Sequence, residues 1–233
     1  MPSKFPYHIA IILDGNRRYA KKKNLNPWKG HEFGAEKVKD LIDWALELGI
    51  KQLTLYTFSI ENFNRNKQEV DYLMGLFRKN FRELKKSERI KKDKVRLNFI
   101  GKLNLFPHNI QKMMHELMED TKNYDMLKIN FAIGYGGRAE IIDAAKKIIT
   151  DIKNKKINPE SINEESFSNY LYLKDEPDLI LRPGGEIRVS NFLIYQGAYS
   201  EWIFMEKLWP EITKADIKNA IKEFHNRERR FGK

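Results

Sequence analysis

The stretch "HIAIILDGNRRYAKK", His8 to Lys22, decides the fold. Its apolar half, residues 9–13, is short, continuous and rich in β-branched side chains. That is the pattern of a strand buried on both faces. It then breaks into one carboxylate, a glycine, an asparagine and two arginines. A core strand that ends abruptly in charge presents that charge at an edge of the sheet.

Outward from this strand the chain alternates. Residues 53–58, 95–100, 128–133 and 178–181 are further short strand-like segments. Residues 36–48, 69–92, 109–124, 138–153 and 215–230 carry apolar side chains at helical spacing. Gly49, Gly101 and Gly134 punctuate the elements. Strand–helix alternation with short turns predicts an α/β fold with a mostly parallel central sheet flanked by helices. No repeat, low-complexity tract or linker interrupts it. The 233 residues are read as a single domain, 1–233.

Composition narrows the class. With 41% hydrophobic residues the chain can build a core. It has no cysteine, which excludes disulfides, thiolate metal sites and a thiol nucleophile. The formal charge of +11 favours anionic partners: nucleic acid, anionic lipid or phosphorylated small molecules. No signal peptide or membrane-length apolar run is present. The expected location is the cytoplasm, with contact at most peripheral to a membrane. Residues 78–96 hold ten Lys or Arg, read as a solvated helix face or as an edge facing an anionic surface.

In parallel α/β sheets, ligands bind beyond the carboxyl ends of the strands. Three such ends are polar here: residues 14–18, 59–65 and 182–191. Gly15 lets backbone approach a ligand. Arg18, Arg182 and Arg188 offer forked donors suited to phosphate oxygens. A lone acid among arginines repels a bare phosphate but suits a divalent cation bridging acid and phosphate. Asp14 with residues 15–18 therefore reads as a magnesium–diphosphate site. The alternative reading is a helix cap beside surface arginines. Neither a Walker A pattern nor GxGxxG occurs, which disfavours ordinary nucleotide binding.

The motifs together resemble the cis-prenyltransferases, the undecaprenyl diphosphate synthase family. The resemblance runs from about His8 to Gly232. It rests on the opening stretch, "LTLYTFSIENFNR" (53–65), "INFAIGYGGRAEI" (129–141), "PDLILRPGGEIRVSNFLIYQGAYSEWIF" (177–204) and "NRERRFG" (226–232).

The resemblance implies the cis-prenyltransferase fold, not a Rossmann fold. It implies elongation of an allylic diphosphate, farnesyl or geranylgeranyl, by cis addition of isopentenyl diphosphate, giving a polyprenyl diphosphate for a glycan carrier lipid. By the same resemblance Asp14 binds Mg²⁺ and assists departure of the diphosphate, with Glu201 as a second metal-linked carboxylate. Gly15, Asn16, Arg17, Arg18 and Tyr19 would hold the allylic diphosphate. Ser59, Ile60, Glu61, Asn62, Phe63 and Arg65 would line the reacting centre. Asn62 is the candidate for assisting proton loss, although an amide is a poor base. Arg182, Arg188, Val189 and Ser190 would hold isopentenyl diphosphate, and His31 is the family's glycine-following histidine. The family implies a homodimer in which Arg230 and Gly232 reach the partner's site, and transient membrane contact for product release.

Arg17 stands where bacterial members carry glycine, and Tyr19 and Phe63 where they carry tryptophan. Pro27, Pro183 and Ile187 also depart from the pattern. These leave primer and product length open, including a short-chain or allylic–allylic synthase. A non-catalytic partner subunit would lack the acid and arginines kept here. A nucleic-acid-binding module would need a basic base-reading helix, which is not evident. A trans-type synthase would need DDxxD, and no DD pair occurs.

Overall fold

The computed structural model describes residues 5–227. Six strands form one parallel sheet: β1 (His8–Ile12), β2 (Gln52–Ser59), β3 (Val95–Ile100), β4 (Leu127–Tyr135), β5 (Leu179–Pro183) and β6 (Glu201–Met205). Their order is β3-β4-β2-β1-β5-β6. Every pairing is parallel, so all carboxyl ends lie at one edge. The chain builds outward from β1 to one side, then returns to add β5 on the other. The seam between β1 and β5 is thus a topological switch point, where parallel sheets open a crevice.

The sheet is covered by α1 (Asn16–Lys22), α2 (Gly30–Leu48), α3 (Lys67–Lys86), α4 (Glu88–Lys92), α5 (His108–Thr121), α6 (Gly137–Lys153), α7 (Glu164–Ser168) and α8 (Lys214–Asn226). Strand side chains alternate between two faces. Ile9, Ile11, Leu53, Leu55, Leu97 and Ile129 join one core with α2, α3, α5 and α8. Ala10, Ile12, Tyr56 and Ala132 join Leu173, Phe192 and Leu193 on the opposite face.

Three expectations need correction. The helix read over residues 69–92 is two: Ser87 takes an extended conformation, and its hydroxyl caps α4 at Ile90 N–H. The last helix ends at Asn226 rather than at residue 230. No strand was expected over β6: its apolar run, residues 202–205, is only four residues long, and at the sheet's edge only Ile203 is buried. Among the described residues no helix is long and apolar enough to cross a membrane.

Candidate active site

Asp14 lies just past β1, and Arg182 lies within β5 across the switch-point seam. Arg182 is 3% exposed. Its Nη2 donates to Asp14 Oδ2 at 2.9 Å, and its Nη1 donates to Ser190 Oγ at 2.7 Å and to the Arg188 carbonyl. Its Nε is buried with no hydrogen-bond partner among the described residues. Asp14 Oδ1 accepts the Gly15 N–H at 2.7 Å and faces Arg18 Nη2 at 3.5 Å. Glu186 joins the group, 3.8 Å from Arg18 and 2.7 Å from Arg188. The result is an arginine cradle around two carboxylates, Asp14 and Glu186.

Glycines make the cradle possible. Gly15 holds φ +100°, and a Cβ there would strike Leu208 at 2.9 Å. A Cβ on Gly34 would lie 2.2 Å from Asn16 Oδ1, so α2 presses directly on the residue that follows the cradle's turn. Asn16 is held by its Nδ2 donating to the Leu13 carbonyl at 2.9 Å.

The loop after β2 is equally constrained. Asn62 Oδ1 accepts the Ser59 N–H at 3.0 Å in a reciprocal cap. Burial opposes charge on Glu61, but its own backbone N–H, Ser59 and Asn191 hold the carboxyl below its ordinary value. Ser190 and Asn191 both adopt left-handed backbone, at φ 47° and 60°. That costs order 1–3 kcal/mol per residue and is held by surrounding contacts. Asn191 supplies them: its Oδ1 accepts the Arg138 N–H at 2.9 Å and its carbonyl accepts the Gly137 N–H at 2.8 Å.

Three cavities meet here. One, of about 360 Å³, is polar and lined by Asp14, Arg17, Arg18, Arg65 and Arg188. The second, of about 740 Å³, runs past Ser59, Glu61, Asn62, Arg182, Val189 and Ser190. The third, of about 450 Å³, is chiefly apolar and runs between α2 and α3 past Val38, Ile42, Leu73, Phe77 and Phe81. Leu13, Asn16 and His31 line all three. The space is therefore continuous from an anion cradle to a greasy channel.

His31 sits at that junction. Burial, then Arg65 and Arg17, push its imidazole down to about 4, outweighing Glu69 at 3.9 Å. It is neutral near pH 7. Its Nε2, like Arg182 Nε, is a buried polar atom with no hydrogen-bond partner among the described residues. Buried polar atoms are nearly always satisfied, so two such atoms on one cavity wall mark a place for ligand atoms.

Not every expected residue arrives here. Tyr19 packs edge-on to Phe33 at 5.3 Å, and Phe63 packs on Phe58 and Phe106 at 4.9 and 5.1 Å. Neither they nor Ile60 line the three cavities. Glu201 starts β6, in register with Leu179 and hence with Ile9, and pairs with Arg227 at 2.8 Å. Asp14 lies five residues beyond that row, roughly 16 Å along the strand direction. Within one chain the two carboxylates do not share a cation. Arg230 and Gly232 lie outside the described residues. Sequence reasoning passed over Glu69 and Arg138 and gave Asn191 no role of its own within the polar stretch 182–191, yet each holds or lines the site.

Among the described residues no three His, Asp or Glu side chains converge as a ready-made metal cage. Asp14 is bound on both sides by Arg182 and Arg18, and the cradle's other acid, Glu186, pairs with Arg18 and Arg188. That donor set fits Mg²⁺ only together with substrate phosphate oxygens, the usual manner of magnesium binding.

A parallel sheet with an arginine cradle at its switch point, opening into an apolar channel, defines an α/β enzyme that handles a diphosphate with a hydrocarbon tail. Residues 12–232 match the Prenyltransf family model, that of the undecaprenyl diphosphate synthases, and the chain belongs to this family of cis-prenyltransferases. It is 46% identical over 230 residues to the tritrans,polycis-undecaprenyl-diphosphate synthase (geranylgeranyl-diphosphate specific) of Thermococcus kodakarensis, covering 98% of this chain and 87% of that one. It is 46% identical over 233 residues to the isoprenyl transferase of Thermotoga maritima, covering 98% and 97%. The crystal structure of lavandulyl diphosphate synthase from Lavandula x intermedia, in complex with dimethylallyl diphosphate, superposes with a TM-score of 0.91 at 34% identity, covering 99% of both chains.

Proposed function

We propose that this cis-prenyltransferase elongates geranylgeranyl or farnesyl diphosphate by successive cis addition of isopentenyl diphosphate, as a Mg²⁺-dependent homodimer that touches the membrane surface to release its product. The observation that carries the reading is the continuity of the arginine cradle with the apolar channel through Leu13, Asn16 and His31. The name of the Thermococcus relative favours geranylgeranyl diphosphate as primer.

The chemistry follows from the arrangement. Ionising an allylic C–O bond separates a diphosphate anion from an allylic cation. Arg17, Arg18 and Arg65 line the cavity in which that anion would rest, and fixed cations there need no reorganisation as charge develops. Asp14 and the phosphate oxygens would hold Mg²⁺, which adds positive charge to the leaving group. Glu201 joins such a site only if a second copy brings it there. Arg182 and Ser190 face the second cavity, where isopentenyl diphosphate would lie with its double bond toward the allylic carbon. New C–C bond formation leaves a tertiary cation that loses a proton to form the cis double bond. Asn62, with its Oδ1 committed to Ser59, positions rather than deprotonates. The departing diphosphate is the stronger base nearby. The lengthening tail then advances past Val38, Leu73 and Phe77.

The test is product sizing: purified protein, Mg²⁺, labelled isopentenyl diphosphate and each allylic primer from dimethylallyl to geranylgeranyl diphosphate. A ladder of cis-polyprenyl diphosphates supports the reading. A single condensation product would instead indicate a short-chain synthase.

A further inference from the structure

Glu69, in the first turn of α3, is only 3% exposed. Burying a carboxylate is costly unless it is paired. Glutamate at this helix position ordinarily turns back to cap the helix. Here Asn66 caps α3, accepting the Gln68 N–H at 2.8 Å. Glu69 faces outward to three groups from three other segments. Arg65 Nη1 donates to Oε1 at 3.0 Å, Arg17 Nη1 lies 3.8 Å from Oε2, and His31 Nε2 lies 3.9 Å from Oε1. All three of these side chains line the polar cavity. Glu69 itself does not line any of the three cavities.

An acid near an anion site weakens anion binding by Coulomb repulsion unless it does something else there. What it does is hold cations. Arg17 is half exposed and sits on a short helix, and among the described residues Glu69 is the acid its guanidinium pairs with. Arg65 follows a single-turn 3₁₀ segment. The α3 helix is anchored by Leu73, Met74 and Phe81 in the core. Leu73, Leu76 and Phe77 continue one helical stripe from Glu69 and form the wall of the apolar channel.

We propose that Glu69 is a positioning residue: it ties Arg17 and Arg65 to the rigid channel-wall helix α3, so that both guanidinium groups meet the incoming diphosphate already in place. The proposal rests on the diphosphate reading of the cradle. Pre-placed donors avoid the entropy cost of ordering two long side chains at binding.

The experiment titrates inorganic pyrophosphate with Mg²⁺ into wild type, Glu69→Gln and Glu69→Asp by calorimetry, beside KM and kcat for the allylic primer. Glutamine keeps shape and an acceptor but removes the charge. The expected result is pyrophosphate affinity and primer KM worse by about tenfold or more in Glu69→Gln, the scale of one charge-assisted hydrogen bond. The change in kcat should be smaller, and Glu69→Asp should lie between. A merely structural role would lower the folded fraction, read by circular dichroism, and leave the affinity of the folded protein unchanged. Wild-type or tighter pyrophosphate binding in Glu69→Gln overturns the proposal. If Glu69→Gln does not fold, wild-type affinity in Glu69→Asp overturns it. Wild type that binds no pyrophosphate overturns the diphosphate reading and this proposal with it.

Discussion

Replacing Arg182 by lysine keeps the charge and removes the fork. In the structure that fork spans two groups: Nη2 on Asp14 at 2.9 Å and Nη1 on Ser190 at 2.7 Å, with the Arg188 carbonyl beside it. A single ammonium cannot satisfy both sides. Hydrogen bonds to charged groups are worth about 1.5–3 kcal/mol each, so losing one side and about half of the other costs gross about 2–4.5 kcal/mol. Asp14 is partly open to water, and solvent recovers part of this. The net loss is about 2–4 kcal/mol of transition-state stabilisation, or roughly 30- to 1,000-fold in kcat/KM. The assay is steady-state incorporation of labelled isopentenyl diphosphate, varying each substrate in turn, with circular dichroism to verify folding. The loss should fall chiefly on isopentenyl diphosphate. A folded Arg182→Lys enzyme within threefold of wild type, with both KM values unchanged, would refute the assignment of the buried guanidinium to substrate binding.

Three further outcomes follow from the geometry. Gly34→Ala places a Cβ 2.2 Å from Asn16 Oδ1, so thermal unfolding should show a loss of about 1–3 kcal/mol, and an unchanged Tm would mean that α2 does not press on the cradle. Ala35→Trp narrows the apolar channel, so sized products should shorten while the first condensation persists; an unaltered ladder would show that the chain grows elsewhere. Burial pushes His8 down to about 4 from 6.5, so the unfolded chain takes up the proton first: stability present above pH 6.5 is lost as pH falls toward 4, by about 3 kcal/mol. Urea unfolding at stepped pH should show a shallower decline for His8→Gln, and equal slopes would contradict the argument.

The parts of the fold legible in the sequence are those where burial writes a pattern. The strands β1, β2, β4 and β5 lie inside the parallel sheet and β3 lies at its edge, where buried Val95, Leu97 and Phe99 alternate with Arg96 and Asn98, so burial announces all five. The edge strand β6 offers only a four-residue run, 202–205, with one buried residue, Ile203. The break at Ser87 was hidden because Ile90 continues the apolar sequence into α4 and is itself buried, while serine is tolerated within helices and also caps them. The cradle was legible because glycine, acid and arginines crowd directly after an apolar strand. Glu69 was not, since an acid in a helix's first turn is ordinary in composition and only the tertiary arrangement turns it toward Arg65 and Arg17. Glu201 was assigned from the motif around it; the register of β6 sets it at the far end of the sheet from Asp14, which no local pattern reveals.

Asp14, among its arginines at the β1–β5 seam, is the carboxylate assigned to cis elongation of a diphosphate-bearing tail. The most direct measurement is elongation of geranylgeranyl diphosphate with labelled isopentenyl diphosphate and Mg²⁺, comparing wild type with Asp14→Ala. The account predicts a ladder of cis-polyprenyl diphosphates from wild type and its loss in a folded Asp14→Ala protein. An Asp14→Ala enzyme that elongates at the wild-type rate would contradict it.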